Sequence, residues 1–169
     1  MTGTRHPRSP RRFLGRGMWV LGWVAVFLWL GAGLAGFVER RSRALPASHV
    51  GLALLATLIL LFAHSWILFY SLGASRLSEE TVTREGFDSS LARLPRRWLG
   101  SAAPWIVSVC VLAVVVFAAG VGGFTSRLPI AYHVTGGALV LIVQAVALNR
   151  EHQLLRRVEW LFQVVGEVR

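Results

Sequence analysis

His64 stands in the stretch Phe62-Ala63-His64-Ser65-Trp66-Ile67-Leu68-Phe69-Tyr70, whose other side chains suit lipid or its border. An imidazole in such a place can ligate haem iron, carry a proton or hold a hydrogen bond across a packed interior. Thr57 and Ser71 lie seven residues to either side of it, so on a helix the three share one face. A second polar stripe runs His133, Gly137, Val140, Gln144, at steps of 4, 3 and 4. Polar side chains turned to lipid are costly, so both stripes are expected to point into a bundle.

The elements that must position these groups follow from composition. The chain has 169 residues, 54% of them hydrophobic and only 15% charged, against roughly 25% charged in ordinary soluble domains. Four apolar runs, residues 18–37, 50–72, 102–124 and 129–149, contain no Asp, Glu, Lys or Arg. At ~1.5 Å per residue each is long enough to cross a hydrocarbon core of ~30 Å. The expectation is an all-α, integral membrane four-helix bundle formed by residues 18–149. A basic tail, 1–17, precedes it, and a cytoplasmic amphipathic C-terminal helix, 150–169, follows.

All 18 basic residues are arginine, and with both termini cytoplasmic fourteen of them fall inside and four outside. That bias is what the positive-inside rule predicts, with Arg40, Arg41 and Arg43 as the dissent. It places the protein in a cytoplasmic membrane as a multi-pass protein, and the arginines at span ends suit anionic headgroups rather than nucleic acid. Ser9-Pro10-Arg11-Arg12-Phe13-Leu14 looks like a twin-arginine export signal, but one residue of that pattern is missing. The 20-residue apolar run after it, with three tryptophans, exceeds a signal core of about 7–15 residues, so an uncleaved first span is expected.

Further boundaries are read from punctuation. Pro104 and Pro129 mark helix starts, and Gly73 marks the end of the second helix. Residues 74–101 read as a connection, with Leu91 to Trp98 lying on headgroups or forming a solvated loop. After residue 149, Leu154, Val158, Leu161, Val165 and Val168 recur at steps of 4, 3, 4 and 3. This stripe packs on the protein's own cytoplasmic loop, lies on the membrane surface, or serves a protein partner or self-association.

Depth counting from the span ends puts His64 and Cys110 each about 12 Å inside the cytoplasmic edge, and Gln144 about 8 Å inside. With Ser108 they form an expected interior polar layer: His64, Ser108, Cys110 and Gln144. In that layer a neutral His64 bonds Gln144, Ser108 or the backbone. The alternative arrangement is a cytoplasm-facing pocket lined by His64, Cys110 and Gln144. His133 lies about 24 Å from the same edge, so His64 and His133 do not reach one iron, whereas His49 is closer to His133 in depth.

One cysteine excludes an internal disulfide and four-cysteine metal sites. The sequence also lacks nucleophile-elbow, zincin and phosphate-loop motifs, and no carboxylate falls within the spans. No catalytic residue, metal site or cofactor is therefore expected. The functional expectation is a noncatalytic accessory, scaffolding or assembly subunit; the alternative is a membrane redox anchor binding haem b or quinone through His64 or His133.

Overall fold

The computed structural model describes residues 11–42, 47–86, 89–123 and 130–167. They form four helices: α1 (Arg11–Ser42), α2 (Ala47–Glu85), α3 (Ser89–Gly123) and α4 (Ile130–Glu167). Each contains a segment long and apolar enough to cross a membrane. The helices run up and down, with α1 against α2, α2 against α3, α3 against α4, and α4 closing on α1. The last turns of α1 and α3 and the first turns of α2 and α4 lie at one end, here called distal. The first described residue, the last one and the α2–α3 turn lie at the other, proximal, end.

The reason for this packing is a single spacing rule. Buried positions alternate by 3 and 4 in every helix: Gly22, Ala25, Trp29, Ala32 in α1 and Ala102, Ile106, Val109, Ala113, Val116 in α3. In α2 the series runs Ala53, Thr57, Leu60, His64, Ile67, Ser71, Ala74, Ser78. In α4 it runs Val140, Gln144, Ala147, Glu151, Leu154, Val158, Leu161. That is the seam of a left-handed bundle with knobs-into-holes packing. Opposite the seam, Phe27, Leu34, Leu58, Phe69, Val111 and Ile142 are exposed, an apolar outer surface of the kind lipid covers.

The seam does not stop where the apolar surface does. Large exposed hydrophobic residues on α2 run from Leu54 to Leu72, about 27 Å of helix, yet the buried series continues through Ser75, Ser78 and Val82. A second core cluster there joins Ala74, Ala102, Ile106, Leu154 and Val158, with Trp98, Leu99 and Phe162 packed against it. Residues 74–85 and 89–101 are therefore helical parts of α2 and α3, not a loop or a headgroup-lying segment. Its serines stay helical because their hydroxyls donate to the carbonyl four residues back, Ser75 to Ser71 (2.9 Å) and Ser78 to Ala74 (2.9 Å).

Two boundary expectations are corrected by the same continuity. α2 passes straight through Gly73, and its cap is Gly86, whose φ of 71° is the left-handed conformation that ends helices. Pro104 is inside α3, fifteen residues after its start, because residues 89–103 have a core to join. Pro129 lies outside the described residues. α4 runs unbroken past residue 149, and Leu154, Val158 and Leu161 are buried in the protein's own core, so they offer no surface to a partner. The side chain of Val165 and all of Val168 lie outside the described residues.

Candidate functional site

At the centre of the proximal half, three polar side chains from the seam meet. His64, Gln144 and Glu151 are each no more than 1% exposed. Gln144 donates through Nε2 to the carbonyl of Gly22 (3.3 Å), and this fixes which way its amide faces. Its oxygen, Oε1, therefore accepts from Nε2–H of His64 (2.8 Å). The other ring nitrogen, Nδ1, bonds Oε1 of Glu151.

The proton inventory follows from these partners. With Nε2 committed as a donor, Nδ1 either carries a proton to a carboxylate or accepts one from a carboxylic acid. In both arrangements one proton occupies the His64–Glu151 bond, and the cluster as a whole is neutral. Burial demands this, since an uncompensated charge in such surroundings costs several kcal/mol. The result is a bridge from α1 through α4 to α2 and back to α4, built from seam positions, with Gln144 and Glu151 two steps apart on α4.

Local sequence makes room for it. A Cβ on Gly22 would press on Leu148 Cδ2, and the nearby Trp19 donates Nε1–H to the Leu148 carbonyl (3.1 Å). Helix α1 can lie close enough to Gln144 only because residue 22 has no side chain.

Of the four residues expected in the polar layer, His64 and Gln144 are joined. Cys110 is half-buried beside the main core cluster, and Ser108 is exposed on the outer face of α3. One residue separates Ser108 from the buried Ile106 and Val109 series, which is enough to turn it outward. The expectation of an interior free of carboxylates is also overturned. Glu151 lies two residues past the last apolar run, but α2 and α4 run parallel and its bond to His64 draws it inside. The readable signal was its place at Gln144 plus seven.

The proposed cytoplasm-facing pocket is absent: its lining residues His64 and Gln144 are sealed by the two core clusters. His64 has both nitrogens engaged, so it has none to offer a haem iron. His133 lies at the distal end, apart from this cluster, beside His49 with ring centroids 5.7 Å apart.

At the proximal end a cleft of about 650 Å³ opens between α1 and α4. Arg16, Trp19, His152, Arg156 and Trp160 line it, with Arg16 paired to Glu159 (3.1 Å). Among the described residues no group of three or more His, Cys, Asp or Glu side chains is placed to hold a metal. No protein-family model, curated protein or solved structure matches the chain.

Proposed function

We propose that this chain is a noncatalytic, multi-pass accessory or scaffolding subunit of a bacterial cytoplasmic membrane, with both termini cytoplasmic. The observation that carries the reading is the filled seam. Among the described residues it runs from the level of Ala32, Ala53, Val116 and Val140 through the apolar belt and past it, sealed midway by His64, Gln144 and Glu151. Along that stretch the interior is occupied by the protein's own side chains, which favours recognition on the outer surface.

The proximal surface supports the same reading. Arg156 and Trp160 are exposed beside the α1–α4 cleft, and ion pairs Arg16–Glu159 and Arg96–Glu79 (2.6 Å) tie neighbouring helices there. Arginine and tryptophan at the edge of an apolar belt suit anionic headgroups and the polar rim of a partner protein.

The test combines topology with contact. Reporter fusions at both ends should read cytoplasmic, and a photocrosslinking residue at Trp160 should give a discrete protein adduct in cells while one at Leu34 gives only lipid. Termini on opposite sides, or no protein adduct from any position around the cleft, would end this reading.

A further inference from the structure

His49 and His133 hold equivalent places on the parallel helices α2 and α4. Each lies within four residues of its helix start, at the distal rim, where the side chains are partly exposed and ions have access. Each imidazole is seated against a glycine. A Cβ on Gly36 would come within 2.8 Å of His49 Nδ1, and a Cβ on Gly120 would collide with the His133 ring. Two neighbouring helices, α1 and α3, thus leave a notch for one ring each.

The nitrogens are unequally engaged. His49 Nδ1 donates to the Ala32 carbonyl (2.7 Å), which leaves Nε2 with its lone pair and fixes the ring, as a backbone carbonyl does behind many metal-bound histidines. His133 Nδ1 is buried without a hydrogen-bond partner. A buried ring nitrogen left without a partner is a cost, and in the tautomer that leaves its lone pair free a metal ion relieves it.

Spacing selects the ligand. With metal–nitrogen bonds of about 2.05 Å and each nitrogen about 1.15 Å from its ring centre, two imidazoles on one ion have centroids about 5.2 Å apart at a tetrahedral angle and about 6.4 Å apart in a line. The observed 5.7 Å lies between these limits. A haem needs the linear value with a macrocycle between the rings, whereas these rings meet edge to face at 84°. Sharing an ion requires the His133 ring to turn, bringing Nδ1 out of the notch at Gly120 toward His49 Nε2.

We infer that His49 and His133 form a binding site for a first-row transition-metal ion of the zinc or copper class, through His49 Nε2 and His133 Nδ1. Imidazole is the ligand such ions favour. Two protein ligands leave the remaining positions to water, which the rim supplies, so the site is open and reversible rather than a closed structural one. Occupancy would clamp α2 to α4 at the end of the bundle opposite the His64 cluster.

The test uses the full chain in mild detergent, stripped with a chelator and dialysed against Zn²⁺ alone. One zinc per chain is expected, with a raised Tm, and His49→Gln and His133→Gln should each weaken binding by about tenfold or more. His152→Gln should leave it unchanged. Because a variant could fold poorly, diethylpyrocarbonate modification of the unmutated protein provides a second reading. Zinc should protect His49 and His133 while His152 stays reactive. Zinc bound without protection of His49 and His133, or no stoichiometric zinc at all, overturns the site.

Discussion

Gln144 and Gly22 are joined through the side-chain amide of one and the carbonyl of the other, at 3.3 Å. This weak-looking contact decides the chemistry of the whole interior. It orients the amide, the amide sets the His64 tautomer, and the tautomer leaves Nδ1 to share one proton with Glu151. A membrane bundle gains little energy from such bonds, on the order of 0.6 kcal/mol each. Their larger effect is to penalise every register in which a partner is missing, since any slip of one helix strands a buried polar group.

Glu151 is the first place to test this. Glu151→Gln offers His64 Nδ1 an amide N–H in the same volume with no charge to compensate, so stability in detergent should stay within about 1 kcal/mol. Glu151→Ala removes the partner and opens a gap, and should cost about 3–5 kcal/mol. Unfolding midpoints in a denaturing detergent titration separate the two. A Gln variant as damaged as the Ala variant would show that the pair is held by charge alone.

His64→Leu strands both Glu151 and the oxygen of Gln144 and should cost as much as Glu151→Ala. The double variant His64→Leu/Glu151→Leu removes both halves of the pair, and should recover about 1–3 kcal/mol relative to the sum of His64→Leu and Glu151→Leu made singly. Additive losses in that cycle would mean the two residues act independently.

How far the sequence reveals this arrangement can be traced residue by residue. Four apolar runs free of charge are sufficient to expect four membrane-length helices, and the polar stripe through Thr57, His64 and Ser71 is legible because a helix brings every seventh residue to one face. What hides the rest is that the apolar runs end before the bundle does. Ser75, Ser78 and the prolines look like loop residues, yet buried serines can satisfy themselves on their own helix. Glu151 is hidden for the same reason: it lies past a hydrophobic run, where residues are ordinarily solvated, although the 3–4 spacing continues through it. The meeting of His49 with His133 depends on the parallel alignment of α2 and α4, which depth counting hints at and only tertiary packing fixes.

Gly22 and Gly33 make a paired prediction on one helix. A Cβ at Gly22 meets Leu148, itself buried in the core, whereas nothing lies within 4 Å of the corresponding position at Gly33. Gly22→Ala should therefore destabilise by about 1–3 kcal/mol through overpacking. Gly33→Ala should be neutral or stabilise by up to about 1 kcal/mol, the helix preference of alanine over glycine. Thermal unfolding of the two variants side by side is the measurement, and equal effects would show that α1 does not press on α4 at this point.

The α2–α3 turn supplies the last prediction. Gly86 has a φ of 71° with no atom near its missing Cβ, so any cost of Gly86→Ala is backbone strain and not collision. That cost should be about 1–2 kcal/mol, and Gly86→Asn should recover part of it, since asparagine tolerates the left-handed region better than alanine. The loss should appear at the proximal end first, as faster hydrogen exchange in residues 74–85 and 89–101 with the distal spans unchanged. Uniform loosening of all four helices would instead mean that the turn and the membrane seam unfold as one cooperative unit.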